Sequence, residues 1–270
     1  MKQTSLKVLS NKRISAGHFI LEVASGSMMD AARPGQFVQI LVDSAHDPFL
    51  PRPFSFLDVE KRRFRILYQV VGYGTELLAL KKRGDMLTVT GPLGNGFSYV
   101  PSKEALLVGG GVGIPPLYHL ANEWSSRGGR GRRSGTTVFL GGRNKTLLHC
   151  EKEFKALGIP VLVATDDGSK GHRGFVTEIV KDYLRMKDSR EDAVIYACGP
   201  TAMLKAVSLL AEKMEVPCQV SVEECMPCGF GACLGCAIKV KDHRSRTSDY
   251  RYALSCTEGP VFDAKEILWG

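Results

Sequence analysis

From the start of the chain to about residue 98, apolar and polar positions alternate in short runs broken by Gly and Pro, the period-two signature of strands with one buried face. Phe19, Leu21 and Val23 alternate, Phe37, Gln39 and Leu41 oppose Val38, Ile40 and Val42, and Phe64, Ile66, Tyr68 and Val70 share a face, with Leu87 and Val89 following. Strands in series without long helices between them predict an antiparallel β-barrel. One helical interruption is expected over Thr75–Lys82, with Thr75 as N-cap and Lys81, Lys82 and Arg83 at its C-terminal end. The period then changes. Ala105–Val108 is a continuous apolar run of the kind a buried parallel strand presents, and similar runs recur at 137–140, 160–164 and 193–197. Between them lie helical patterns from Pro115 to about Trp124 and near 146–157, 175–186 and 201–214, the second of these four ended by Gly158. Strand and helix in alternation predict a doubly wound α/β domain. After Pro217 the chain runs through Gln219–Val222 into a run of Gly and Cys, Ala237–Val240 reads as a strand, and Lys241–Arg251 reads as a charged solvent loop. The expected organisation is a multi-domain chain: a barrel over 1–100, an α/β domain over 101–215 and a small cysteine-bearing domain over 216–270.

Composition adds limits. The chain has 270 residues, 44% hydrophobic and 24% charged, enough for two domains and an appendage with ordinary cores. No run approaches a membrane span of about twenty apolar residues, and no N-terminal apolar run resembles a signal peptide, so a cytoplasmic location with reduced thiols is expected. The formal charge of +8 raises nucleic acid as a partner. Much of the excess, however, sits in local clusters, above all Arg127, Arg130, Arg132 and Arg133, with no aromatic residues interleaved to stack on bases.

The cysteines carry more information. Cys228, Cys233 and Cys236 are spaced C-x4-C-x2-C, with Cys256 more remote, the plant-type pattern for holding a [2Fe–2S] cluster by four thiolates. Glycines at 229, 231 and 235 would allow the close approach and positive φ that wrapping a cluster demands. Counting Cys225 as well gives paired C-x2-C elements, which also read as a structural zinc site, although Cys256 would then be left over.

Other segments suit phosphates. In Arg52-Pro53-Phe54-Ser55 an arginine is held on extended backbone, and Gly72-Tyr73-Gly74-Thr75 opens a helix whose free N–H groups attract anions. Four ends of the later strands are glycine-rich or polar: Gly109, Gly110, Gly111 and Gly113; Gly141-Gly142-Arg143; Thr165-Asp166-Asp167-Gly168; and Cys198-Gly199-Pro200. The spacing of the first departs from G-x-G-x-x-G. Asp166 and Asp167 suit ribose hydroxyls and would repel a 2′-phosphate, which favours NAD over NADP.

The Arg-Pro-x-Ser strand, the Gly-Thr helix start and the Cys-Gly-Pro strand end resemble the ferredoxin–NADP reductase superfamily. With Cys-Gly-Phe-Gly-Ala-Cys-Leu-Gly-Cys at 228–236 and Ser-Cys-Thr-Glu-Gly-Pro-Val-Phe-Asp-Ala at 255–264, nearly the whole chain resembles the electron-transfer subunits of class 1B dihydroorotate dehydrogenases. The resemblance implies FAD against Arg52, Pro53, Phe54, Ser55, Leu67, Tyr68, Gln69, Gly74 and Thr75. It implies exchangeable NAD against Gly109, Gly110, Gly111, Gly113, Arg143, Asp166, Cys198, Gly199 and Pro200, with Cys198 beside the nicotinamide, and a [2Fe–2S] cluster on Cys228, Cys233, Cys236 and Cys256. It further implies that pyrimidine oxidation belongs to a partner, an FMN-containing catalytic subunit joined in a heterotetramer, with neither nucleic acid nor membrane involved. A loop over 237–255 longer than the family's usual one and the additional Cys225 depart from that pattern. Two other functions fit the residues: the NAD(P)-linked flavin subunit of a hydrogenase, sulfite reductase or bifurcating complex, and a zinc-stabilised nucleotide-binding regulator.

Overall fold

The computed structural model describes residues 2–42, 47–100, 103–126, 135–186, 192–242 and 248–270. Arg127, Arg130, Arg132 and Arg133 lie outside the described residues.

The first half is a curled antiparallel sheet of seven strands: β1 (Lys2–Ser15), β2 (His18–Gly26), β3 (Phe37–Leu41), β4 (Arg52–Ser55), β5 (Asp58–Glu60), β6 (Arg62–Gln69) and β7 (Met86–Leu93). Their order across the sheet is β4-β3-β7-β1-β2-β6-β5, and the long β1 bridges its two halves by pairing with both β7 and β2. A register shift between Val8 and Ser10 lets β1 bend between them. Val8, Leu21, Val38, Ile40, Phe64, Ile66 and Val89 fill the inside of the curl. Among the described residues no strand pairing joins β4 to β5, so the barrel foreseen from the alternation is a curled sheet open along one seam.

The helix α1 (Tyr73–Leu80) begins and ends two residues earlier than its pattern suggests. Gly72 is its N-cap, and Thr75 sits inside the first turn, where its Oγ1 accepts from the N–H groups of Val71 and Gly72 at 2.9 and 3.1 Å. The hydroxyl therefore caps the turn from within. Lys81 is the C-cap, and Lys82 and Arg83 lie beyond the last turn.

The second sheet is built from β8 (Glu104–Gly110), β9 (Thr136–Gly142), β10 (Val161–Thr165), β11 (His172–Arg173), β12 (Ala193–Cys198), β13 (Cys218–Ser221) and β16 (Val261–Asp263), in the order β11-β10-β9-β8-β12-β13-β16. All its pairs are parallel except β13 with β16. Helices α2 (Pro115–Ser126), α3 (Glu151–Ala156), α4 (Val176–Arg185) and α5 (Thr201–Lys213) cover it. The helix foreseen over 146–157 is shorter at its start because Cys150 is left-handed, with φ 61°. Gly158, φ 72°, ends it as expected.

The boundary at 215 does not separate sheets. Cys218–Ser221 pairs with β12, and Val261–Asp263, from beyond the last cysteine, covers the outer edge of Cys218–Ser221. The cysteine segment is thus an excursion between two strands of the α/β sheet. Within it, β14 (Ala237–Lys241) and β15 (Tyr250–Leu254) form an antiparallel hairpin, where a charged loop was expected up to Arg251. Tyr250 and Tyr252 share its exposed face while Ala253 is buried, an alternation too short to stand out among charged neighbours. Residues 243–247, between these strands, lie outside the described residues.

Candidate functional site

A cavity of about 360 Å³ opens where the curled sheet meets the carboxyl ends of the parallel strands, the side on which ligands of open α/β sheets bind. Its wall from the curled sheet contains Phe37, Arg52, Pro53, Phe54, Ser55, Leu67, Tyr68, Gln69 and Thr75. Facing them are Gly113 from the turn after β8, and Cys198 and Gly199 from the end of β12. Thus every residue of the Arg-Pro-Phe-Ser strand and of the 67–69 triplet that the sequence proposed meets the nicotinamide-side candidates across one space.

Arg52 and α1 converge. A Cβ built on Gly74 would fall 2.7 Å from the Arg52 Cζ, so the guanidinium rests on the first turn of the helix because residue 74 has no side chain. The N–H groups of that turn and the cation then act on the same small volume, a donor set that suits a pyrophosphate. Tyr68 supplies the ring next to it. Its hydroxyl is turned to Asn11 Oδ1 at 3.1 Å, and burial pushes its pKa up to about 12, so it remains a neutral phenol.

On the α/β side, the glycines serve different purposes. Gly109 and Gly110 belong to β8; side chains there would meet Ile114 and Leu117, and Met203, respectively. Gly113 permits two loops to touch, since its Cβ would lie 2.5 Å from the Gly199 Cα. Gly111 has φ 57° and open space at its Cβ position, which leaves its backbone accessible to an anion. The Cys198 thiol is buried, and burial pushes its pKa up to about 12, so it borders the cavity as a neutral group.

Some candidates stand off this wall. Gly74, Gly109, Gly110, Gly111 and Pro200 are not part of its lining; Pro200 is the N-cap of α5. Arg143 and Asp166 are exposed at the ends of β9 and β10, neighbouring strands whose loops are joined by the Asp166 N–H donating to the Gly142 carbonyl at 3.1 Å. Hydrogen bonding from the Ser169 side chain, and then from the Ser169 N–H at 2.9 Å, draws the pKa of the Asp167 carboxyl down. The wall also contains residues that motif reading did not select: Val71, Val112, Pro115, Ser221, Val222, Glu223, Glu224, Met226 and Pro260. Burial, then the neighbouring Glu223, raises the pKa of Glu224. The only sequence signal for this pair is two acids directly after an apolar strand that leads to the cysteines.

The cysteine loop packs on the outer face of β3 and β7: Phe37 and Leu93 form a small core with Met226, Cys236 and Cys256. Gly229 and Gly231 have φ of 80° and 86°, as the spacing anticipated. Gly235 does not have a positive φ; Leu234 takes the left-handed position with φ 61°, and Gly235 is small because a Cβ would sit 3.2 Å from Pro227 Cδ.

The four thiols lie close together, Cys228 beside Cys233 and Cys256 beside Cys236, with Cys228 also acting on Cys256. The Cys228 thiol is pushed down to about 6: burial opposes this, but the N–H groups of Phe230, Cys233 and Ala232 and the Cys233 thiol outweigh it. Cys256 is pushed up to about 12 by burial and by the adjacent Cys236 thiol, whose Sγ accepts from the Cys256 N–H at 3.4 Å. Among the described residues, no group of three His, Cys, Asp or Glu side chains is arranged to hold a single metal ion. Thiols gathered in one loop, with amides turned toward sulfur, suit a [2Fe–2S] rhomb that takes two ligands at each iron.

Comparison with known proteins extends this picture. Residues 223–268 match the iron-sulfur cluster binding domain of dihydroorotate dehydrogenase B, and residues 107–209 match the oxidoreductase NAD-binding domain. The dihydroorotate dehydrogenase B (NAD+) electron transfer subunit of Caldanaerobacter subterraneus subsp. tengcongensis is 41% identical over 263 residues, 97% of each chain. The chain belongs to the family of dihydroorotate dehydrogenase B electron transfer subunits. The member from Desulforamulus reducens is 37% identical over 266 residues, again 97% of each chain. Among solved structures, an NADH-dependent reduced ferredoxin-NADP oxidoreductase studied for flavin-based electron bifurcation is 34% identical, with TM-score 0.81, over 98% of this chain and 90% of the other. A ferredoxin NADP+ reductase from Neisseria gonorrhoeae, 17% identical over 79% of this chain and 92% of the other with TM-score 0.65, shares the fold.

For a subunit of this electron transfer family the donor sets fit FAD, NAD and a [2Fe–2S] cluster. Two consequences are measurable. Gly74→Ala displaces the flexible end of Arg52 without touching the core, so stability should hold while affinity for FAD falls about tenfold, the scale of one charged hydrogen bond of about 1.5 kcal/mol; fluorescence titration of flavin-free protein reads this. Cys225 is exposed on the segment leading into the loop. Cys225→Ser is expected to keep full iron content and an unchanged electron paramagnetic resonance (EPR) spectrum.

Proposed function

We propose that this subunit takes electrons from FMN in a catalytic partner and delivers them to NAD+ through a [2Fe–2S] cluster and FAD, so that the complex converts dihydroorotate and NAD+ into orotate, NADH and a proton. The observation carrying this reading is that Cys236 and Cys256, in one loop with Cys228 and Cys233, pack on Phe37 of the strand that lines the flavin-sized cavity. Bound flavin exchanges either one electron or a hydride, which is what joining a one-electron cluster to nicotinamide requires. The chain's own groups hold and shield. Arg52 and the start of α1 neutralise the pyrophosphate; Phe54, Leu67 and Tyr68 form a dry wall for the ring; Gly113, Cys198 and Gly199 leave room for the nicotinamide; and Arg143 and Asp166 receive the ribose-phosphate end.

In this reading residues 1–100 serve the flavin, 101–215 the nicotinamide nucleotide and 216–270 the cluster. Phe230 and Leu234 flank the exposed Cys233 and are 51% and 62% exposed, which supports a partner seated over the cluster edge. The expected assembly is a heterotetramer of two electron transfer and two catalytic subunits in the cytoplasm, where thiols stay reduced. Among the described residues no helix is long and apolar enough to cross a membrane.

The test is reconstitution with an FMN-containing dihydroorotate dehydrogenase catalytic subunit. Dihydroorotate should then reduce NAD+, followed at the NADH absorbance; a complex that forms but yields no NADH refutes the pyrimidine assignment. The 34% identical oxidoreductase studied for bifurcation supports a second reading, a subunit of a bifurcating complex. That reading gains if the purified chain brings down a larger flavoprotein and exchanges electrons with ferredoxin and NADP(H) but not with dihydroorotate.

A further inference from the structure

Two carboxamides tie the cysteine loop to the flavin half of the molecule. Gln39, on β3, is 1% exposed, and its Nε2 donates to the Met226 carbonyl at 2.5 Å. Its Cγ fills the space where a Cβ on Gly229 would fall, 2.6 Å away. Asn95, just after β7, donates from Nδ2 to the carbonyls of Thr257 and Glu258 at 3.1 and 2.9 Å, and its N–H donates to the Gly259 carbonyl at 2.5 Å. One amide therefore grips the chain two residues before Cys228, and the other grips it just after Cys256. Gln39 also stands opposite Pro53 in the β3–β4 register, so the strand that reaches the loop is hydrogen-bonded to the strand bearing Arg52.

Stability does not explain Gln39. Its Oε1 is buried with no hydrogen-bond partner among the described residues, and a half-satisfied amide in a sheet core is worse than an apolar side chain of similar size. We propose that Gln39 is a positioning residue for electron transfer: its amide pins the Met226–Cys228 segment to the flavin-bearing strands and sets the approach of the cluster to the cavity. This rests on the reading that the four cysteines hold the cluster.

The experiment uses Gln39→Met and Gln39→Glu in the complete complex. Met fills the same volume without a donor; Glu preserves shape but turns a second acceptor toward the Met226 carbonyl. Both variants should retain FAD, iron and the parent's rate of flavin reduction by NADH. Appearance of the reduced-cluster EPR signal in freeze-quenched samples should slow about tenfold, within the range that small misplacements of reacting groups produce, and the lines should broaden. Parental rate and line shape in Gln39→Met would overturn the proposal. So would joint loss of FAD and cluster in both variants, which would mean that the amide holds the whole fold. Absence of the signal in the parent would instead defeat the cluster reading itself.

Discussion

Cys256→Ala is expected to abolish the reduced-cluster EPR signal and to lower dihydroorotate-dependent NADH formation more than about 100-fold, beyond the 10–100-fold typical of groups one shell further from a metal. Cys256 is 1% exposed and lies beside the Cys236 thiol, so solvent has little access to the place the sulfur would leave. It is also the one proposed ligand that lies beyond the return strand of the hairpin, in the turn after Leu254, and its loss frees the loop at that end. The proposed flavin and nicotinamide residues lie on other elements, so NADH oxidation by an artificial acceptor such as ferricyanide should survive in the same variant. That contrast makes the experiment decisive. If both activities persist, the electrons do not pass by way of Cys256; if both vanish, the substitution has damaged more than the cluster.

Acid should weaken the fold well above the range where carboxylates titrate. His119 and His149 are buried, and burial lowers each pKa to about 4, with the nearby His18 adding to the effect at His149. The His18 and His149 rings are 4.5 Å apart, and His119 meets Phe56 edge to face. A histidine whose folded pKa lies below its unfolded value of about 6.5 is neutral in the native state, while the unfolded chain takes up a proton. Its contribution is therefore complete above pH 6.5 and is lost as pH falls from about 6.5 toward about 4. For His119 the total is about 3 kcal/mol, of which more than half is gone by about pH 5. Urea unfolding followed by tryptophan fluorescence at several pH values measures this, and His119→Met should flatten the dependence between about pH 6.5 and about pH 5. An unchanged slope in that variant would show that the titrating group lies elsewhere.

The sites differ in how far they could be read before folding. Arg52, Phe54, Leu67, Tyr68 and Thr75 line the cavity; the Arg-Pro-x-Ser strand and the Gly-Thr helix start are local signals, and the family resemblance they carry is what pointed to the segment at 67–69. The C-x4-C-x2-C spacing is local as well. Ser221, Glu223, Glu224 and Met226 escaped notice because they reach the cavity only after β13 joins β12, a pairing between segments 23 positions apart in register, Ile195 with Cys218. The hairpin strand Tyr250–Leu254 was hidden by charge, and alternation sets Gln39 with Phe37 and Leu41 opposite Val38, Ile40 and Val42 without marking it as buried.

The chain's order of residues alone determined three things: an alternating β half, a parallel α/β half and a set of sulfurs spaced for iron. Each follows from periodicity or spacing within a few residues, where backbone geometry leaves little choice. Tertiary structure decided the rest. It inserted the cysteine segment between two strands of the α/β sheet, laid it on the outer face of β3, and so buried both faces of a strand that alternation marks as half exposed. Which sulfurs lie side by side, and which acids and amides surround the cavity, depend on contacts between elements far apart in the chain; no local pattern encodes them, because their energy exists only once the sheets have closed on one another.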